Sequence, residues 1–218
     1  MSIIGIDAGS SCIKAIEVDQ GTQIINKEII SKTSIINALE LFLKHNNIKE
    51  TNISKIVLTG VGKDEIKENI HGIPTEKVDE FKAIATGGLE LSQKQEALVV
   101  SIGTGTAFVM AKKDSYKHIG GTGVGGGTIL NLCRLIGNTN TIEDINKEIT
   151  KGNLANVDLI IQDVAINEIQ NLPKDTTSAN FGKLNDKATK ADIILGITNM
   201  VFETIGMMAV FRNTKHKL

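Results

Sequence analysis

Three stretches of the sequence gather residue types that can hold phosphate oxygens. Asp7-Ala8-Gly9-Ser10-Ser11, with Lys14, offers a carboxylate able to ligate a metal, backbone N–H groups in a tight turn, two hydroxyls and a cation. Phosphate needs that mixture, because it neutralises charge and donates several hydrogen bonds at once. The competing reading is a hairpin turn that uses Asp and Gly for geometry alone. Thr104-Gly105-Thr106 stands at the matching place of a second strand–turn–strand unit. Two hydroxyl-rich turns facing one cleft would clasp a polyphosphate. The third stretch, Gly120 to Thr128, leads into an apolar run. It promises permissive backbone and free N–H donors at a helix N-terminus, which is an anion site. No Gly-Lys-Ser/Thr follows, so it is not a Walker A loop, and it does not open a βαβ unit as a Rossmann fingerprint would. Glu80 lies at an expected helix start, where spacing alone favours an acid stabilised by the helix dipole. His45, His71 and His216 read as surface residues without a metal pattern.

The elements that must position these residues follow from periodicity. Ile3 to Asp7 is a short buried strand, Ile13 to Val18 alternates as its hairpin partner, and Ile24 to Ile30 is a third strand. Thr33 or Ser34 can cap a helix through Asn37 to Leu43. Lys55 to Thr59 is a strand ending on Gly60-Val61-Gly62, and Asp79 to Leu91 reads as a helix despite Gly87-Gly88. The pattern then restarts, with strands at Ala97 to Ile102, Thr106 to Lys112 and Tyr116 to Ile119, and a helix from Gly125 to Ile136. Duplicated hairpins with glycine and hydroxyl turns predict an α/β protein of two related lobes with a ligand cleft between them. The expected division is residues 1–75 and 76–218. Thr139 to Thr189 reads as a weakly ordered polar stretch with short helices, and Ala191 to Phe211 as a long amphipathic helix.

Composition narrows the function classes. With 218 residues, 24 Lys+Arg against 25 Asp+Glu, and 41% hydrophobic residues, the chain reads as an ordinary globular protein of balanced charge. That argues against nucleic-acid and anionic-membrane partners. Aromatics make up only 3%, so stacking platforms for single-stranded nucleic acid are not expected. The two cysteines, Cys12 and Cys133, form no disulfide framework and show no zinc spacing. No leader is expected, and no run is expected to approach the roughly 20 residues of a membrane span. The expectation is a soluble, cytoplasmic protein.

The segments IGIDAGSSCIKAIEVD, DEFKAIATGG, VSIGTGTAF, YKHIGGTGVGGGTILNL and TTSANFGKL occur in this order, spread along the chain from Ile4 to Leu184. In that combination the sequence resembles the type II pantothenate kinases. The first segment alone would fit any actin-like or sugar-kinase-like ATPase. The resemblance implies two ribonuclease H-like lobes of the actin-like ATPase fold around a nucleotide cleft, a dimer, and Mg-ATP as co-substrate. It implies a first phosphate loop of Asp7, Ala8, Gly9, Ser10, Ser11 and Lys14, with Asp7 as the Mg²⁺ ligand. Thr104 and Gly105 would form the second loop, and Gly126, Gly127 and Thr128 would complete the nucleotide site. The family's general base falls on Glu80. The acceptor would meet Thr104, Ala179 in the segment Ser178–Gly182, and His118, which stands where the family has an Arg that grips the pantothenate carboxylate.

The expected function is therefore transfer of the ATP γ-phosphoryl to the primary hydroxyl of pantothenate, the first step of coenzyme A synthesis. The alternatives are the same machine acting on pantetheine or an amino sugar, and a nucleotide-binding protein without turnover. In the family the helix matching Ala191–Phe211 is followed by a strand, a turn that seats adenosine and a closing helix. Here the sequence stops at Leu218. The expectation is a shortened second lobe, with an open sheet edge, uncovered apolar surface and weakened ATP binding.

Overall fold

The computed structural model describes residues 1–19, 23–165, 167 and 172–215, with side chains described as far as Arg212. The chain divides into two units, Met1–Val99 with Val109–His118, and Val100–Phe108 with Ile119–Leu218. Residue 75, the lobe boundary expected from sequence, lies inside the first unit.

The first unit is organised by a five-stranded sheet of order β3-β2-β1-β4-β5. Its strands are β1 (Ser2–Ala8), β2 (Cys12–Val18), β3 (Ile24–Ser31), β4 (Ile53–Thr59) and β5 (Thr75–Lys77). The first three pair antiparallel, β4 runs parallel to β1, and β5 runs parallel to β4. Strict alternation in β1 sends Ile4, Ile6 and Ala8 to one buried face and Gly5 and Asp7 to the other. Helix α1 (Ile35–His45) covers the buried face with Ile35, Ala38, Leu39, Phe42 and Leu43. Its cap is Ser34, whose hydroxyl accepts from the Asn37 N–H at 3.2 Å. Helix α2 (Glu80–Ser92) is capped by Asp79 and packs Ala85 against Val109 and Ala111. Gly88 is required there, since a Cβ would stand 2.5 Å from Val99 Cγ2.

Strands β6 (Glu96–Ile102), β7 (Thr106–Lys112) and β8 (Ser115–Thr122) form a three-stranded sheet of order β6-β7-β8. The second unit continues with α3 (Gly126–Gly137), α4 (Ile142–Ile149), β9 (Leu159–Ile160), α5 (Ile161–Val164), β10 (Thr177–Ala179) and α6 (Lys190–Lys215). The described residues of the stretch 139–189 are better built than their polarity suggested. Ile145 of α4, Val157, Asp158 and Ile160 are buried there, and β9 pairs antiparallel with β10. Their order comes from packing on α6, which a local reading does not register.

Helix α6 also corrects two expectations. Its apolar residues are not confined to one face: Ala191, Ile194, Ile197, Val201 and Ile205 are buried, while Phe202, Met207, Val210 and Phe211 are exposed. Its segment Lys190–Arg212 contains an 18-residue stretch with a mean hydropathy of 1.7 and is long and apolar enough to cross a membrane by length and composition. A core helix of a soluble protein passes the same test.

Candidate functional site

In the first unit, Asp7 and Lys14 are direct cross-strand partners in the β1–β2 register. Because residues opposite each other share a face, both point away from the Ile4–Ile6–Ala8 core. Lys14 Nζ lies 2.8 Å from Asp7 Oδ2. Burial opposes the Lys14 charge, but the bond to Asp7 and the nearby charges of Asp7, Cys12 and Glu80 outweigh it, so its pKa is raised above that of an ordinary lysine. Lys14 is a fixed cation. The turn between the strands is held by Lys32, whose Nζ donates to the Gly9 carbonyl at 2.8 Å. Ser10 and Ser11 are exposed on it.

The other side of Asp7 is built by β4, a contribution the sequence reading left out. Thr59 is the β4 partner of Asp7, and its hydroxyl oxygen is buried without a hydrogen-bond partner. Gly60 follows with φ +85°, and a Cβ there would stand 2.5 Å from Asp7 Oδ1 and 2.7 Å from the Ala8 carbonyl. The glycine thus keeps Oδ1 clear, and no donor among the described residues takes that oxygen. The missed signal was the Thr-Gly pair closing a β-branched strand. One open carboxylate oxygen suits Mg²⁺, which keeps most of its water and is held by one or two carboxylates plus substrate phosphates. Asp7 therefore fits the expected metal role, and no group of three or more His, Cys, Asp or Glu among the described residues offers an alternative.

Glu80 opens α2 and is half-buried. It is close enough to Lys14 to contribute to the raised lysine pKa. Its neighbour Asp79 accepts from the Lys82 N–H at 3.0 Å. That bond first, and the Tyr116 hydroxyl second, hold the Asp79 carboxyl below the usual range. Phe81, next to Glu80, stacks flat on His118 of β8, with ring centroids 4.1 Å apart and planes 8° apart. The stack ties the first turn of α2 to β8, which sequence spacing did not reveal.

In the second unit the Gly-Thr-Gly turn docks on the N-terminus of α3. The Gly126 N–H donates to the Gly103 carbonyl at 2.8 Å, and the Gly127 N–H to the Thr104 carbonyl at 3.0 Å. The Gly125 N–H donates to the Thr128 hydroxyl at 3.1 Å. These N–H groups were expected to be free for an anion; the protein uses them itself. A Cβ at Gly125, Gly126 or Gly127 would meet the 103–105 segment at 2.7–2.9 Å, so the glycine density reflects close docking of two turns. Thr104 and Gly105 are brought directly against Gly126–Thr128 in this way, with the Thr104 side exposed.

The segment Ser178–Gly182 is anchored from below. Asp158, fully buried, accepts from the Phe181 N–H at 2.8 Å, from Asn199 Nδ2 at 3.1 Å and from Asn180 Nδ2 at 3.3 Å. Phe181 has φ +58°, a left-handed conformation that these bonds sustain in a non-glycine residue. Ser178 and Ala179 are left exposed. Asp158 was legible as a lone acid inside the apolar run Val157–Ile160, but its role was not. Thus Asp7, Lys14, Glu80 and His118 are gathered in the first unit; Thr104, Gly105, Gly126–Thr128 and Ala179 belong to the second. His45 and His71 pair with surface carboxylates of Glu28 and Glu50, and His216 lies outside the described residues. Cys12 and Cys133 are free thiols.

The family model for Fumble matches residues 90–218, more than half of the chain. The chain belongs to the Fumble family. Among its relatives, a Bacillus anthracis protein named type II pantothenate kinase is 27% identical over 225 residues, spanning 99% of this chain and 79% of that one. A Staphylococcus epidermidis protein of the same name is 27% identical over 224 residues, spanning 98% and 81%. The Fumble-family chain also resembles two solved structures. The activator of 2-hydroxyisocaproyl-CoA dehydratase from Clostridium difficile, with bound ADPNP, matches with a TM-score of 0.66 at 16% identity, over 95% of this chain and 75% of that one. Component A of (R)-2-hydroxyglutaryl-CoA dehydratase from Acidaminococcus fermentans matches with a TM-score of 0.67 at 18% identity, over 96% and 78%. Identity at that level speaks for the fold alone, and the fold is the α/β fold of the actin-like ATPases.

Proposed function

We propose that this Fumble-family enzyme transfers the γ-phosphoryl group of ATP to the primary hydroxyl of pantothenate. The observation that carries the reading is the Lys14–Asp7 pair with Glu80 beside it, in a chain similar along nearly its whole length to proteins named type II pantothenate kinase. Phosphoryl transfer is chiefly positioning and charge neutralisation. In this reading Lys14 and the Ala8–Ser11 turn hold phosphate oxygens, and Asp7 holds Mg²⁺, which when bound neutralises further phosphate charge. Thr104, Gly105, Gly126, Gly127 and Thr128 line the nucleotide, through the Thr104 and Thr128 hydroxyls and close backbone approach. Glu80 accepts the proton as the acceptor oxygen bonds to phosphorus and ADP leaves. His118, Thr104 and Ala179 face the acceptor. The two-lobe division, a homodimer and a cytoplasmic location belong to the same proposal, and the exposed apolar side of α6 supports self-association.

One observation favours a second acceptor. His118 offers single donors where the family's Arg would offer a two-pronged fork for a carboxylate, so pantetheine, which lacks the carboxylate, is the competing substrate. ATP consumption measured against pantothenate, pantetheine and N-acetylglucosamine decides between them. Pantothenate is expected to give the highest kcat/KM; a preference for either other acceptor sinks the assignment. Glu80→Gln is expected to lower kcat by roughly 10²–10⁴-fold while nucleotide binding is kept. Unchanged turnover in that variant removes Glu80 from the base role.

A further inference from the structure

The turn between β1 and β2 is tied back at two successive carbonyls. The Ala8 carbonyl accepts from the Gly62 N–H at 3.0 Å, and the Gly9 carbonyl from Lys32 Nζ at 2.8 Å. Both ties come from outside the hairpin. Gly62 lies past the end of β4, and Lys32 directly follows β3. The backbone of Lys32 is itself held on either side: Ser31 pairs with Cys12 in the β2–β3 ladder, and Ser34 caps α1. Its side chain therefore starts beside the turn that it reaches. The turn is tight as well, since a Cβ at Gly9 would stand 2.8 Å from the Cys12 carbonyl oxygen. All of these residues belong to the first unit.

An exposed lysine ordinarily trails in water or pairs with a surface carboxylate for little gain. Lys32 does neither. Its contact is a backbone carbonyl 23 residues away in sequence, and among the described residues no carboxylate pairs with it. The choice of that carbonyl is informative. A phosphate oxygen approaching a turn is attracted by N–H groups and repelled by carbonyl oxygens, the opposite end of the same peptide dipole. Gly9 has no side chain to restrain its peptide planes, so an outside tie must do it. Lys14 does not supply a surplus of positive charge by itself, because Asp7 matches it at 2.8 Å. Lys32 engages the Gly9 oxygen and adds a cation to the turn.

We infer that Lys32 is a positioning residue for phosphate: by holding the Gly9 carbonyl it fixes the turn in the form that receives phosphate oxygens. It acts through the backbone of the turn. The inference rests on the phosphate reading of Ala8–Ser11, and the anion that it serves is the polyphosphate of Mg-ATP.

Binding of Mg-ATP is measured by calorimetry with the full chain, Lys32→Met and Lys32→Arg, each checked for native helicity. The titrations are run at about 0.1 M and about 1 M salt, where the screening length falls from about 10 Å to about 3 Å. Lys32→Met keeps the stem and removes the donor with its charge. It is expected to weaken Mg-ATP by about tenfold at both salt concentrations, because a direct hydrogen bond within the protein is little screened. In turnover the loss is expected in the KM for Mg-ATP rather than in kcat. Lys32→Arg, with charge and donors on a stem of similar reach, is expected to recover most of it. Equal Mg-ATP affinity in wild type and Lys32→Met overturns the inference. A loss at the lower salt that disappears at the higher also overturns it, and makes Lys32 a distant charge. A wild type that binds no Mg-ATP overturns the phosphate reading of the turn, and the role of Lys32 falls with it. Lys32-dependent, salt-resistant binding of Mg-ATP without phosphoryl transfer supports the inference while the kinase reading fails.

Discussion

Asp7 shows how much of a residue's role is set by its neighbours. Lys14 takes one carboxylate oxygen, and Gly60 withholds a side chain so that the other stays open. Thr59 supplies a buried hydroxyl with no partner in the same register row. Such an orphan costs about 1–3 kcal/mol, so its retention points to service in the bound state. Thr59→Val keeps the shape and deletes the polar atom. The melting temperature is expected to rise, by about 2–4 °C for each kcal/mol recovered in a chain of this size. The kcat/KM for Mg-ATP is expected to fall by about tenfold. A lower melting temperature in that variant means that the hydroxyl is satisfied in the free protein and carries no such role.

Among the elements, α6 owes its start to a carboxylate that binds two segments at once. Asp192 accepts from the Asn153 N–H at 2.6 Å, the Thr189 N–H at 2.9 Å and Asn156 Nδ2 at 3.1 Å. Thr189 returns the favour by accepting from the Asp192 N–H at 3.2 Å, which makes a capping box. The Asn153 N–H first, and the Thr189 N–H second, push the Asp192 pKa far below the carboxylate range against the effect of burial. The sign follows from linkage. A folded-state pKa below the unfolded value of about 4 gives stability that is complete above that pH and drains away as pH falls below it. Asp192→Asn is therefore expected to cost about 1–3 kcal/mol at pH 7 and to flatten the acid limb of the stability curve below pH about 4. Urea titrations at pH 7 and pH 3 check this; an acid limb as steep as that of the wild type excludes Asp192 as its source.

At the scale of the whole molecule, α6 presents Phe202, Met207, Val210 and Phe211 to solvent. Large apolar side chains exposed along one helix mark association, and a symmetric copy is the commonest partner. The chain is expected to sediment as a dimer, and Phe202→Lys combined with Met207→Lys to shift it toward monomer with its helicity kept. A monomeric wild type, or one that floats with phosphatidylcholine vesicles, removes the dimer reading and turns attention to the hydropathy of the same helix.

The sequence by itself determined the period-two strands, a helix cap at Thr33 or Ser34, the positions of the glycine- and hydroxyl-rich turns and the family resemblance. These are local facts: alternation, turn chemistry and capping act over a few residues, so they can be read in a line. Only the tertiary structure decided the rest. The sequence made Gly126 and Gly127 look like open donors, whereas docking of the Gly-Thr-Gly turn consumes their N–H groups. It made residues 139–189 look loose, whereas Asp158 and Asp192 tie that stretch to α6 across long separations. It gave no sign that Phe81 stacks on His118, that Thr59 lies beside Asp7, or that Arg212 rests on Gly120. Each of those contacts joins residues far apart in the chain, and their energies are set by packing geometry, which no local propensity encodes.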